Sequence, residues 1–298
     1  MSNTSARKHG FIYGLCACAL LLGIWSVGIE PRWVAQRQLN SAVPQAPDLR
    51  GLKVAVASDW HFTSRPLWRV MTPDRARQIV KEINSAHPDV ILLPGDFVAD
   101  QNYQPQTTEK AEEEIASVLG QLKAPLGVFA TLGNHDWDDG FKLPGAFSKV
   151  GIQVLENDAV PLGNTGAWIA GIGDYRTRHS KPGLAIAKLP KDAPALIMMH
   201  DPASFAELPT LNALFVAGHT HGGQVYLPWI GALITRSSAP RAWAHGWVKH
   251  HGNNMYVTSG LGVSILPIRF NMRPEWVLIT LTSQPDARQA GIQEPHPE

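Results

Sequence analysis

Two histidines one residue apart, His219 and His221, stand in the stretch GHTHGGQ with Gly218, Gly222 and Gly223 around them. In extended chain, residues i and i+2 point the same way. Glycine lets a backbone turn tightly or approach a ligand closely. That combination suits a metal site, although a polar loop could carry the same residues. Four further stretches repeat the theme: SDWH carries Asp59 and His61, GD carries Asp96, GNHD carries Asn134 and His135, and MMHD carries His200. Five of the chain's twelve histidines fall in these stretches. A single histidine at a strand end is more often a capping or core residue. Five of them, joined by two aspartates and an asparagine, share no common structural need, and metal binding is the better reading.

The donors are oxygen and imidazole without sulfur, which suits manganese, iron or zinc, with magnesium less natural beside several histidines. The set exceeds what one ion needs while keeping an open position. Two ions about 3.5–4 Å apart, bridged by a carboxylate, would use it all. Such a pair stabilises the attacking and leaving oxygens of a phosphoryl displacement and acidifies a shared water enough to supply hydroxide near neutral pH.

The elements that must position these residues are legible around them. KVAVASDWH, DVILLPGD, GVFATLGNHD, ALIMMHD and LFVAGHTH each run from a short apolar stretch into a polar cluster, the pattern of buried strands. Ligands in open α/β sheets bind beyond the carboxyl ends of such strands. After Thr72 as N-cap and Pro73 at the first helical position, Ala76, Ile79, Val80 and Ile83 make a helical stripe. Ile115, Val118, Leu119 and Leu122 make another. Alternating strands and helices indicate an α/β fold. AWIAGIGD, NMYVTSG and EWVLITLT add strands with less helix between them, so a second sheet packed as a sandwich is expected.

The flanks read differently. Phe11 to Ile29 is a charge-free apolar run of nineteen residues, about 28 Å long as a helix and close to a bilayer's hydrocarbon thickness. Residues 1–10 form its basic flank with Arg7 and Lys8, and no small-residue cleavage site follows before Glu30, Pro31 and Arg32. An uncleaved anchor is therefore expected ahead of a cleaved signal, giving a single-pass cell-membrane protein. The catalytic domain is expected outside the cytoplasm, although Arg32 and Arg37 balance the upstream charges. Residues 30–50, with the aperiodic AQRQLNSAVPQAPDLR, read as a linker, 51–282 as the catalytic domain and 283–298 as a disordered tail. Cys16 and Cys18 lie in the apolar run, so the body holds no thiolate site. A net charge of +1 argues against nucleic acid as a partner. Oligomeric state is not legible.

D-x-H, G-D, G-N-H-D, H and G-H-x-H, in this order over about residues 51–282, resemble the calcineurin-like metallophosphoesterase family. The resemblance implies a four-layer αββα sandwich with a dinuclear centre. It implies Asp59, His61 and His221 on one metal, Asn134, His200 and His219 on the second, and Asp96 between them. His135 would be the catalytic histidine that meets the substrate phosphate and assists the leaving group. One departure stands out: many phosphatases of the family carry Asp three positions after the bridging Asp, where this chain has Ala99. Asp100 and Asp136 are the nearest alternatives, and the partner of His135 stays open. GHTHGGQVYLP and RFNMRPEW are similar to the membrane-linked bacterial phosphodiesterase and diphosphatase branch. The implied enzyme hydrolyses a phosphodiester or diphosphate bond. A metal-keeping regulatory module on the same fold and a nuclease are the alternatives.

Directly after the metal loop, VYLPWIGALIT supplies Leu227, Trp229, Ile230, Leu233 and Ile234, with Arg236 and Arg241 nearby. It reads either as a buried crossing to the second sheet or as an apolar lip beside the site that touches the bilayer or an acyl chain. The lip reading makes Trp229 and Arg236 substrate-binding residues and the substrate lipid-linked. The resemblance suggests a lipid A precursor such as a UDP-diacylglucosamine as one candidate.

Overall fold

The computed structural model describes residues 3–42, 49–99, 108–137 and 142–282; the expected tail 283–298 lies outside them. Its first element is helix α1 (Asn3–Ile24), continued by one wide π turn over Trp25–Ile29 and a short 3-10 turn over Glu30–Arg32. From His9 to Arg32 this helical stretch is long and apolar enough to cross a membrane, and it is a candidate anchor.

The first sheet contains β1 (Ala35–Ala42), β2 (Lys53–Val56), β3 (Val90–Pro94), β4 (Val128–Thr131), β5 (Ile152–Val154) and β14 (Glu275–Thr282), in the order β1-β14-β2-β3-β4-β5. The second contains β6 (Asp158–Pro161), β7 (Trp168–Ile172), β8 (Ala195–Met199), β9 (Ala213–Ala217), β12 (Gly246–His250) and β13 (Asn253–Val257), in the order β12-β13-β9-β8-β7-β6. A small hairpin of β10 (Tyr226–Leu227) and β11 (Gly231–Ala232) stands apart from both.

Alternation along each strand builds the layers, because successive side chains face opposite sides of a sheet. Val54, Val56, Val90 and Leu92 of the first sheet meet Leu196, Met198, Leu214 and Val216 of the second in one buried cluster between the sheets. Ala55, Ile91, Leu93 and Ala130 face outward under α2 (Pro73–Ser85), α3 (Thr108–Leu119) and α4 (Leu143–Lys149). Ile172, Ile197, Met199 and Phe215 face the opposite way, under α5 (Pro182–Ile186) and a 3-10 turn over Pro202–Glu207. The result is the αββα sandwich. Helix α2 starts as its sequence demands: the Thr72 hydroxyl accepts the Arg75 N–H at 3.2 Å, and Ala76, Ile79, Val80 and Ile83 are its buried face.

The linker reading of residues 30–50 is corrected over its first part. Ala35–Ala42 pairs in parallel with β14 along its whole length, from Ala35 opposite Glu275 to Ala42 opposite Thr282. AQRQLNSA shows no strand pattern because it is an edge strand that buries only Leu39 and Ser41. Its structure comes from the β14 backbone and from Arg37, whose Nε donates to the buried Glu275 carboxylate. The folded domain therefore begins close to the end of the apolar helix.

Candidate functional site

Strands β2, β3 and β4 are parallel neighbours, as are β8 and β9, so the loops that follow them gather at one edge of each sheet. Those loops carry every metal-capable residue named above. The chain zips them together: Asp59 N–H donates to Gly95 O at 3.0 Å and His61 N–H to Asp96 O at 3.1 Å. Asp59, His61, Asp96, His219 and His221 all have left-handed backbone, with φ from 49° to 68°. Outside glycine each such residue costs on the order of 1–3 kcal/mol, a strain that clusters at functional sites. The loops approach so closely that a side-chain carbon at Gly133 would lie 2.2 Å from Asp96 Oδ1.

The side chains converge in two groups, with Asp96 in one and within 3.4 Å of His61 in the other. Asp59, His61 and His221 offer donor atoms within 4.8 Å of one another, and so do Asp96, His200 and His219. His61 Nε2 lies 3.0 Å from His221 Nε2 and 3.4 Å from Asp96 Oδ2. The same Asp96 oxygen lies 3.2 Å from His200 Nε2, and His200 Nε2 lies 3.2 Å from His219 Nδ1. One carboxylate oxygen thus stands between the two groups. His200 Nδ1 donates to Pro94 O at 2.7 Å, which fixes the ring with Nε2 facing inward.

A divalent cation fits this donor set. Asn134 Oδ1 is buried without a hydrogen-bond partner, and two imidazole nitrogens face each other where only one can carry the intervening proton. Charge tells the same story. Burial raises the Asp59 carboxyl to about 7, and the neighbouring Asp96 adds to the rise. Burial drives His61 down to about 3 and holds His221 well below the usual imidazole range. Burial opposes the charges on Asp96 and His200 as well, yet their mutual attraction wins: the Asp96 carboxyl falls well below its ordinary value and the His200 ring rises well above.

His135 is half-buried beside this cluster, its ring 5.2 Å from that of His61 and its backbone N–H donating to Asp96 Oδ1 at 2.9 Å. It also forms a possible ligand group with His61 and Asp96. Asp136, one alternative partner for it, is otherwise engaged. Its oxygens accept the N–H groups of Asp96, Phe97 and Gly133 at 2.8 Å and of Val98 at 3.2 Å. It is a staple between the loops after β3 and β4. Asp100 lies outside the described residues.

Two residues with roles here carried no signal strong enough to single them out. Asp201, directly after His200, accepts from Ser237 Oγ at 2.5 Å, and its other oxygen lies 3.6 Å from His219 Nε2. Arg269 is completely buried with its guanidinium turned to backbone carbonyls, including those of Ser259 and Gly262 at 2.7 Å, and Nη2 lies 3.3 Å from His221 Nδ1. An Asp after a His and an Arg in a Pro/Arg-rich stretch are too common to be read alone.

The site floors a cleft of about 550 Å³. Asp96, Asn134, His135, His219 and His221 lie at its base, Arg65, Arg176 and Arg236 add positive charge, and Leu233, Ile234, Ile265 and Leu266 line it with apolar surface. Arg236 therefore reaches the cleft. Trp229 does not line it: it stands fully exposed at the tip of the β10–β11 hairpin with φ 67°. The buried-crossing reading of this stretch is excluded, and the apolar lining comes from Leu233, Ile234 and the loop at 263–268 instead. A side-chain carbon would strike Ser58 Oγ and Asp59 Oδ2 from Gly218 and Met272 Sδ from Gly222, so these glycines let the loop close against its neighbours, while Gly223 lines the cleft.

A family model described as calcineurin-like phosphoesterase matches residues 52–223, more than half of the chain. An uncharacterized metallophosphoesterase of Bacillus subtilis, YkuE, is 26% identical and aligns over 95% of this chain and 99% of its own length. The UDP-2,3-diacylglucosamine pyrophosphatase LpxG of Chlamydia trachomatis is 26% identical over 72% of this chain and 77% of its own length. A transmembrane protein with a metallophosphoesterase domain from Danio rerio is 28% identical, covering 94% of this chain and 64% of its own length. With strand-end donors drawn from both sheets, and with that match across them, the chain belongs to the calcineurin-like phosphoesterase family and is a metallophosphoesterase, a hydrolase of phosphoester bonds.

Proposed function

We propose that the protein cleaves a phosphodiester or diphosphate bond in a lipid-linked substrate, using two divalent ions. Asp59, His61 and His221 would hold one ion, Asn134, His200 and His219 the other, and Asp96 both. The observation that carries the reading is Asp96 Oδ2, 3.4 Å from His61 Nε2 and 3.2 Å from His200 Nε2. Manganese suits the mixed imidazole and carboxylate set best, with iron or zinc also compatible. Bound there, the ions would polarise phosphoryl oxygens and lower the pKa of an attacking water.

The chain's own residues do the rest. Arg65, Arg176 and Arg236 line the cleft and offer charge to the phosphate groups. His135 stands at the cleft base, where its ring can give a proton to the departing oxygen. Leu233, Ile234, Ile265 and Leu266 accept apolar substrate parts alongside, which favours a substrate with acyl chains. LpxG, whose name specifies a diacylated nucleotide sugar, supports the same choice, and a UDP-diacylglucosamine-type lipid is one candidate. The candidate helix His9–Arg32 supports a single-pass membrane protein.

Two variants test the reading. His135→Ala should keep two ions by elemental analysis and lose roughly 10²–10⁴-fold in turnover of a chromogenic phosphodiester. Loss of an ion instead would make His135 a ligand. Ile234→Ser combined with Leu266→Ser should slow a long-acyl diphosphate far more than a small soluble diester. An equal fall on both, or no change, would remove the lipid-linked part.

A further inference from the structure

The end of the apolar helix is bonded to the stretch 269–273, which directly follows the cleft-lining Ile268. Arg269 N–H donates to Ser26 O at 2.9 Å, inside the apolar run. The buried Glu30 carboxylate accepts the Met272 N–H and the Trp25 indole N–H, each at 2.6 Å. Arg273 lies 3.8 Å over the Trp33 ring, and its Nε donates to Trp33 O at 2.9 Å. Trp33 in turn packs edge-on against Trp25. Tryptophans with arginines at the end of an apolar span mark the water interface of a membrane. Residues 25–33 therefore fix the level of that interface relative to the domain.

The same loop lines the cleft. Leu266 is three residues from Arg269, so it lies no more than about 11 Å from the point of contact with Ser26. The headgroup layer is itself about 6 Å thick on each side of the hydrocarbon. Leu266 consequently cannot stand far above the bilayer surface. Exposed large apolar residues gather at this edge: Leu67 is 73% exposed, Trp229 103%, Ile230 59%, Ile234 61%, Ile265 48% and Leu266 itself 50%. They form one connected rim. Trp68 Nε1 donates to Ile265 O at 3.0 Å, tying the turn at 66–68 to the loop. Val225 bridges Phe270 and Tyr226 N–H donates to Phe270 O at 2.9 Å, tying the β10–β11 hairpin to it. Leu184, Trp137 and Tyr175 are exposed elsewhere in the domain, but it is a contiguous patch of this kind that marks an interaction surface. Trp229 adds to this, since folding the hairpin calls for a reversal of the chain at this position but not for a large apolar ring held wholly in solvent.

We propose that this rim rests on the lipid bilayer that holds the helix, so that the cleft opens into the headgroup layer. A substrate would then present its phosphate groups to the site while its chains stay in the membrane. The inference rests on the anchor reading, and its test needs no turnover. The full chain is placed in phosphatidylethanolamine/phosphatidylglycerol vesicles with an environment-sensitive fluorophore on a single cysteine. In a Cys16→Ser, Cys18→Ser background the label sits at Ile230→Cys, at Leu266→Cys or at Lys191→Cys, the last on the exposed turn before β8. A Cys18→Ser chain labelled at the native Cys16 reports the helix itself. Labels at 230 and 266 should shift to the blue and lose at least about half their intensity to spin-labelled lipid, while that at 191 is unaffected. If 230 and 266 behave like 191 while Cys16 is quenched, the helix is in the membrane and the rim inference is overturned. If Cys16 is also unquenched, the anchor reading falls and takes the rim with it, leaving the phosphoester chemistry untouched.

Discussion

Loading the site with metal should release protons in a pattern that its buried charges dictate. Without ions, His200 carries a proton through neutral pH because Asp96 holds it, and Asp59 titrates at about 7 because it is buried beside Asp96. His61 and His221 are already neutral, kept so by burial. Ligands must be deprotonated to bind, so uptake of the ions expels what His200 and Asp59 hold. At pH 6 Asp59 is about nine-tenths protonated and the two together give about two protons; at pH 8 it is about one-tenth protonated and the release falls to about one. The sign follows: both groups bind protons only in the ion-free state, so affinity rises with pH. An average of about 1.5 protons over two pH units is a gain of about 10³ in apparent affinity. Titration calorimetry of chelator-stripped protein with Mn²⁺, in buffers of different ionisation heat, counts the protons directly. Asp59→Asn should abolish the change between pH 6 and 8 while leaving release from His200. A proton count that stays constant across this range, or is unaltered in Asp59→Asn, would refute the assignment of Asp59 as a buried ligand raised by its neighbours.

Two other expectations concern the scaffold. Asp136→Ala leaves the N–H groups of Asp96, Phe97, Val98 and Gly133 without their acceptor, so stability should fall by about 3–5 kcal/mol, read as a thermal midpoint lowered by about ten degrees; an unchanged midpoint with lost turnover would make Asp136 a partner of His135 instead. Glu275 is fully buried, and although burial alone would raise it, His245 and Arg37 hold its carboxyl down at about 2 from an ordinary 4.5. Its contribution, about 3 kcal/mol before allowance for the 43% exposure of Arg37, is present above pH 4.5 and disappears as pH falls from there towards 2. The midpoint gap between the parent and Glu275→Gln should therefore be wide at pH 7 and narrow at pH 3, and a gap independent of pH would contradict it.

The strands that end in chemistry are legible from local pattern alone. Runs such as VILLP and LFVA are apolar at every position because both faces are covered, and that needs no partner to recognise. Helix α2 was equally legible, since Thr72, Pro73 and the 3.6-residue stripe are local signals. The donor types at the strand ends name the chemistry. Tertiary structure decided what those local signals do not contain. AQRQLNSA has no strand pattern of its own, and only the open edge of β14, with Glu275 waiting for Arg37, makes it β1. Asp136 looks like a catalytic neighbour of His135 in the chain, but folding turns its oxygens onto four backbone N–H groups of two converging loops. Trp229 follows the metal loop by only eight residues, yet a two-stranded hairpin carries it out of the cleft, while Ile265 and Leu266, more than forty residues from His221, line it. Proximity along the chain and proximity in space part company at turns. Where a turn sends its side chains is set by what the rest of the protein packs against it.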